Sequence, residues 1–315
     1  MHECGSGLAA DAVVLAILLA LAAAAGYGGS DYTAGLAARR ASAIRVTLVS
    51  EGVSVAVAGV ALALLGAEAP GLRAVAWGGV AGLAGMSGAL ALYVGYRHAA
   101  FSVAGPLSAV GSAGFSVLAG LLLGERPTAL ALTGIVLALP AIVGVSAGAR
   151  SAPASSGGPP EDGAPGDGAP GASRRRTELG VIYGLVAGAC FALLFIGLDE
   201  AGSGSGLWPV FSGQVLAAVG VICVAAVTRD LRPPEARGGW LAALTGLTGA
   251  PATILYFIAT HHGLLAVTAV ITSLYPAVTI LLARVLLGER LTAFRLGGLV
   301  LAAASVSLIA VGGSG

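Results

Sequence analysis

Leu122-Leu123-Gly124-Glu125-Arg126-Pro127-Thr128-Ala129 returns 164 residues later as Leu286-Leu287-Gly288-Glu289-Arg290-Leu291-Thr292-Ala293. The same spacing sets His98 on His262, Gly134 on Gly298 and Leu137 on Leu301, and a spacing of 163 sets Ser50-Glu51 on Gly213-Gln214. The chain therefore reads as two copies of one unit. A bilayer core needs about 20 apolar residues per helix. Runs of that length lie at about 12–36, 44–66, 74–95, 100–123 and 129–148, then at about 179–198, 208–228, 239–259, 264–287 and 292–312. Five spans per copy is an odd number, so consecutive copies must enter the membrane with opposite orientation. The predicted fold class is an all-α membrane protein with ten transmembrane helices arranged as two inverted five-helix repeats. No stretch alternates with a period of two, which excludes a membrane β-barrel.

Composition requires the same surroundings. Of 315 residues, 57% are hydrophobic and 10% charged, whereas a soluble domain carries about 25% charged residues. Mean hydropathy is +0.93. Most of the outer surface must face lipid. A net charge of +1 offers no basic face to nucleic acid. All basic residues are arginine, and there is neither lysine nor asparagine. A lysine-bearing phosphate loop is thus impossible, and no N-glycosylation acceptor exists. Cys4, Cys190 and Cys223 have no paired or metal-ligand spacing. No catalytic dyad or Gly-x-Ser-x-Gly elbow occurs, so the sequence predicts no enzyme, no catalytic residue, no metal and no cofactor. Ala9 to Gly26 could imitate a signal-peptide core, but Glu3 and Asp11 are acidic where export targeting wants positive charge. It is expected to be a retained first helix.

Three segments follow: residues 1–150 as the first five-helix repeat, 151–176 as a linker, and 177–315 as the second repeat. The linker reads SAPASSGGPPEDGAPGDGAPGASRRR. It has no apolar residue larger than alanine, cannot bury a core, and is expected to be flexible. Arg174, Arg175 and Arg176 are expected at the headgroups, fixing the start of the sixth span. In the repeated Gly-Glu-Arg-x-Thr, glycine can end one helix in the left-handed conformation and threonine can cap the next. Glu and Arg then fall in the turn at the water interface.

Polarity at depth marks the candidate pathway. A carboxylate at the centre of a membrane helix costs about 3 kcal/mol or more. Asp31 lies late in the first span beside Tyr32, Glu51 two turns into the second, and Gln214 stands as Glu51's neutral counterpart in the seventh. Asp31 or Glu51 is expected to face a central cavity and serve proton exchange or cation recognition; the alternatives are a helix end in water for Asp31 and an interfacial pair with Arg45 for Glu51. Pro106, Pro251 and Pro276 are expected to interrupt helices and free carbonyls. With Tyr93, Tyr256 and Tyr275 they would line the path, although each tyrosine alone also suits an interface belt. His98 and His262 sit at span ends as anchors or pH sensors. Gly78, Gly82, Gly85 and Gly88 form a strip suited to close packing, or to a substrate groove.

These features resemble the EamA family of the drug/metabolite transporter superfamily. Val267 to Val278, with Tyr275-Pro276, followed by Leu286 to Thr292, is similar to the family's small-residue-rich ninth helix, aromatic-proline pair and Gly-Glu turn. Gly105-Pro106-Leu107-Ser108-Ala109-Val110 and Gly124-Glu125-Arg126 take those parts in the first copy, where Gly111-Ser112 replaces Tyr-Pro. Gly28-Gly29-Ser30-Asp31-Tyr32 resembles the family's segment in the first helix. The resemblance implies secondary transport of a small organic metabolite or drug across a bacterial-type cytoplasmic membrane by alternating access. Export is the expected direction and protons are the candidate coupling ion. Lipid and the solute are the expected partners, with the chain acting as monomer or homodimer. The second function class is a non-transporting membrane protein, either a lipid-handling enzyme or a scaffold. It would need a clustered His/Asp/Ser constellation or a large aqueous domain. Fourteen of the sixteen arginines fall on the side opposite the termini, against Arg73 and Arg126 on the other. That bias places both termini outside the cytoplasm, while the resemblance implies the reverse.

Overall fold

Backbone inside lipid must satisfy its own N–H and C=O groups, and for an apolar chain without period-two alternation the solution is helix. The computed structural model describes residues 2–66, 70–98, 101–147, 170–232, 234–287 and 293–313, and these form eleven helices and no strand. In the first half these are α1 (His2–Ala38), α2 (Ala43–Leu65), α3 (Leu72–His98), α4 (Phe101–Leu122) and α5 (Ala129–Ala147). In the second they are α6 (Pro170–Glu200), α7 (Trp208–Val227), α8 (Ala236–Thr260), α9 (Leu265–Thr272), α10 (Tyr275–Leu287) and α11 (Ala293–Gly313). Among the described residues, seven stretches are long and apolar enough to cross a membrane, with shorter apolar segments at Leu107–Leu122, Ala129–Gly144 and Leu296–Gly312. The protein is a multi-pass membrane protein.

The expected ninth span is where pattern and structure part. It is two helices, α9 and α10, joined at Ser273-Leu274. Pro276 has no N–H to return to Thr272, and the chain tightens through Leu274 N–H to Ile271 C=O (3.1 Å) and Ala277 N–H to Leu274 C=O (2.9 Å). The other two prolines do not break their helices: α4 runs through Pro106 and α8 through Pro251. Residues 151–169 of the linker, and Gly288 to Thr292 of the second turn, lie outside the described residues, as do the side chains of Cys4, His98, Pro106 and Arg174 to Arg176. α6 begins at Pro170, inside the stretch assigned to the linker.

Side-chain size is sorted inside out. Alanine dominates the buried set, with Ala20, Ala37, Ala109, Ala141, Ala187, Ala242 and Ala266 all fully buried, while Leu64 (79%), Val227 (85%) and Val285 (76%) stand exposed. Lipid is as apolar as leucine, so large side chains gain little by hiding and small ones let backbones approach. The glycine strip of α3 has this role. A Cβ on Gly78 or Gly82 would collide with the backbone of Pro209 or Gly213 in α7, and one on Gly88 would meet Phe191 of α6 at 2.9 Å.

The extensive helix contacts join the two sequence halves. α1 packs on α8 and α3 on α6; α2 packs on α8 and α3 on α7; α1 packs on α10 and α4 on α6; α5 pairs with α11 and α2 with α7. The halves interleave, and neither is a separate five-helix body.

Two loop carboxylates clasp this arrangement. At the end of α4, Gly124 adopts φ 95°, Gly124 N–H bonds Leu121 C=O (3.2 Å) and Glu125 N–H bonds Gly120 C=O (2.9 Å), a glycine-terminated helix end. Thr128 Oγ1 accepts from Ala131 N–H (3.2 Å), capping α5, and donates to Gly312 C=O (2.8 Å). Glycine and threonine thus act as their spacing suggests. Glu125 does more than sit in water. Its Oε1 accepts from Leu265 N–H (2.5 Å) and its Oε2 from Ala266 N–H (2.9 Å), capping α9 of the other half. Burial raises the Glu125 carboxyl above its ordinary value, opposed by the Ala266 and Leu265 amides and assisted by the Asp199 carboxylate. At the end of α7, Arg229 takes the left-handed position (φ 56°), and Asp230 N–H closes on Ala225 C=O (2.9 Å). Asp230 then accepts from Arg45 Nε (2.5 Å) and from Ser42 Oγ at the start of α2. The Ser42 hydroxyl first, and the Arg45 guanidinium with it, hold the Asp230 carboxyl below its ordinary value against its burial.

Gly82→Ala should lower the melting temperature in detergent by an amount equivalent to about 1–3 kcal/mol, because the methyl has only the backbone of Gly213 to displace. Gly114→Ala, with nothing within 4 Å, should be neutral or slightly stabilising. Because the folded-state value of Asp230 is depressed, its contribution is present above the ordinary carboxylate range and is lost as pH falls through the folded value. Asp230→Asn should therefore melt lower than the parent at pH 6, by about 1 kcal/mol, and the gap should close in melting curves taken below about pH 4.

Candidate functional site

Between these close approaches the helices part around a cavity. A cavity of about 140 Å³, near the roughly 150 Å³ that holds benzene in an engineered apolar cavity, lies among α1, α2 and α8 on the one hand and α3, α6 and α7 on the other, with Tyr275 from the start of α10. α1 contributes Tyr27, Ser30 and Asp31; α2 contributes Ser50, Glu51 and Ser54; α8 contributes Thr245, Gly246, Gly249 and Thr253. From the second triplet come Met86 and Tyr93 of α3, Phe191 and Phe195 of α6, and Gln214 of α7, together with smaller or aliphatic neighbours.

Glycines set the depth at which the carboxylates stand. A Cβ on Gly26 would lie 2.8 Å from Ala252 Cβ, and one on Gly28 would lie 2.8 Å from Tyr275 C=O. α1 is thus pressed between α8 and α10. Ser30 Oγ donates to Thr245 C=O (3.1 Å), Thr33 Oγ1 meets Thr245 Oγ1 (3.0 Å), and Tyr27 OH meets Thr253 Oγ1 (3.0 Å). With that face docked on α8, Asp31 turns to the cavity. On α2, a Cβ at Gly246 would strike the Ser50 carbonyl, so α2 lies tight on α8 and Glu51 reaches the same space. Glu51 Oε2 is buried without a hydrogen-bond partner, and among the described residues Asp31 has neither a hydrogen bond nor an ion pair. Arg45, the alternative partner for Glu51, is engaged by Asp230. Tyr93 stands within electrostatic reach of both carboxylates and of Tyr275.

Of the residues singled out from sequence, Asp31, Glu51, Tyr93, Gln214 and Tyr275 come together around this cavity. Tyr32, Tyr256 and Pro276 are not among its lining residues; Tyr256 is fully buried with its ring 4.4 Å from Phe195, and Pro276 stands at the α9–α10 break. Pro106 lies in α4, and no described residue of α4 lines the cavity. His262 is exposed at the end of α8 with Nδ1 2.8 Å from Ile258 C=O, and His98 closes α3. His262 is not among the cavity's lining residues.

Phe191 and Phe195 were not anticipated, although the repeat carries their signal. The spacing of 164 sets Tyr27 on Phe191 and Asp31 on Phe195, as it sets Gly82 on Gly246 and Gly85 on Gly249. All eight line the cavity. Equivalent positions line the cavity in both halves, but where the first half places the Asp31 carboxylate the second places the Phe195 ring.

The fold has solved counterparts. Sixteen chains of solved structures match; one, described only as "Crystal structure of protein", superposes with a TM-score of 0.68 at 18% identity, covering 93% of this chain and 95% of that one. That likeness concerns the fold alone. No curated protein matches. The profile of the EamA-like transporter family matches residues 178–311, from the start of the apolar part of α6 into α11. Over that stretch, which makes up most of its second half, the chain is similar to the EamA-like transporter family.

Proposed function

We propose that the protein is a secondary transporter that moves a small organic metabolite or drug across a bacterial-type cytoplasmic membrane by alternating access. Export is its direction and protons are its candidate coupling ion. The observation that carries this is the cavity at the meeting of six helices, lined by two carboxylates without partners among the described residues, in a chain whose second half is EamA-like. Substrate sites of such transporters lie where two repeats meet near the bilayer midplane.

The proposal includes ten spans, α9 and α10 together making the ninth, arranged as two inverted repeats. Packing supports it. Replacing each helix by its counterpart turns α1 on α8 into α6 on α3, and α2 on α8 into α7 on α3; all four contacts occur. The tight approach of Gly82 to Gly213 is likewise matched by that of Gly246 to Ser50. The same interleaving supports a division of the moving parts across the two halves. The bodies that rock are α1-α2-α8 against α3-α6-α7, each drawn from both halves, and the linker only joins them. Chemistry is not part of the mechanism.

Purified protein in liposomes should give saturable flux of at least one solute among labelled amino acids, nucleosides and cationic dyes, faster with a pH gradient. Asp31→Asn and Glu51→Gln should each cut that flux at least tenfold and abolish its dependence on the gradient. Parental flux and pH response in both variants would remove the carboxylates from the mechanism. Orientation has its own measurement. With Cys4, Cys190 and Cys223 replaced, a cysteine at Ser156→Cys should resist a membrane-impermeant maleimide in intact cells if the arginine-rich side is cytoplasmic, and should label if it is not.

A further inference from the structure

We infer that the solute is a small organic ammonium ion, its charge met by Asp31 and Glu51 and its apolar or aromatic body resting against Phe191, Phe195 and Tyr93. This rests on the cavity being the transport site and goes beyond it by assigning the chemical class carried.

Charge leads the argument. Of the 27 or so side chains and backbone segments that enclose the cavity, the charged ones are both acidic; no arginine or histidine lines it among the described residues. Three hydroxyls of the lining are spent elsewhere: Ser30 donates to Thr245 C=O, Ser50 to Thr47 C=O, and Thr253 to Gly249 C=O. A carboxylate kept from water and without a donor is destabilised by several kcal/mol, and two in one cavity repel each other. An anionic solute would add to that repulsion, and a neutral one would leave protons as the sole compensation. An ammonium ion supplies the missing counter-charge and, where it carries N–H groups, the missing donors.

Shape and lining fix the remainder of the molecule. The position equivalent to Asp31 is Phe195, and the one equivalent to Tyr27 is Phe191. At the position equivalent to Asp31 the second half offers a ring, Phe195, and at the one equivalent to Glu51 a neutral amide, Gln214, with Phe191 a further ring on that side. Aromatic faces attract cations, by about 2 kcal/mol or more when desolvated, and also pack on hydrocarbon. A solute charged at one end and apolar at the other fits both sides at once, whereas an inorganic cation would leave the ring side without use. The volume of about 140 Å³ suits a body of about one ring.

The test compares near-isosteric probes on the full-length protein in detergent. Benzylammonium, benzyl alcohol and benzoate differ little in size but carry positive, zero and negative charge. Benzylammonium should bind by calorimetry at least tenfold more tightly than benzyl alcohol, and benzoate should not bind. Asp31→Asn and Glu51→Gln should each weaken benzylammonium at least tenfold while leaving benzyl alcohol unchanged. Asp31→Glu and Glu51→Asp, which keep the charge, should retain binding if the neutral variants do not fold. Equal binding of the charged and neutral probes, or benzylammonium binding that survives loss of both carboxylates, overturns the inference. Flux of a neutral or anionic solute with no benzylammonium binding also overturns it, while leaving the transporter proposal in place. Charge-selective binding with no flux of any solute does the opposite: the ammonium site stands and the transport reading fails.

Discussion

Helices surrounded by lipid cannot be driven together by hiding apolar side chains, because the solvent they leave is itself apolar. What remains is contact: backbones that come close enough for dispersion and for hydroxyl-to-carbonyl bonds. Gly78 and Gly82 on α7, Gly246 on α2, and Gly26 and Gly28 between α8 and α10 are the points at which this chain achieves it. The alanine-rich interior and the leucine- and valine-rich exterior follow from the same constraint. So does the cavity. It lies beside these contacts, with Gly78, Gly82 and Gly246 in its lining together with Asp31, Glu51 and the rings of Phe191 and Phe195.

Interleaving gives the two carboxylate clasps their place. Glu125 leaves the end of α4 and caps α9; Asp230 leaves the end of α7 and holds the start of α2. Each follows a left-handed residue, Gly124 or Arg229, that turns the chain back on its helix. Each joins residues far apart in sequence, at opposite ends of the bundle in the topology that the span count predicts. Arg73, at the start of α3, adds a further tie to Glu200.

Periodicity and repetition made most of the helices legible. The run boundaries for the first, second, seventh and eighth spans fall within a few residues of α1, α2, α7 and α8, except that α1 extends to His2. Hydropathy could not register the break at Ser273-Leu274, because the residues on both sides are apolar and the discontinuity comes from one missing N–H at Pro276. Pro251 carries the same deficit without a break, so proline alone does not locate one. Asp31 and Glu51 were visible as charges in apolar runs. Phe191 and Phe195 were hidden because a phenylalanine in a membrane helix is unremarkable until its partner in the other copy is known to face a cavity. The role of Glu125 was hidden for a different reason: its acceptors' partners, the amides of Leu265 and Ala266, belong to a helix whose start no side chain announces.

Because α1 rests on α8 and α3 on α6, the portion of the chain made first has almost nothing of its own to lean on. During synthesis its small-residue faces must wait in the bilayer, touching lipid or insertion machinery, until the later helices arrive to thread between them. Assembly is then a late, concerted event governed by the last spans to emerge.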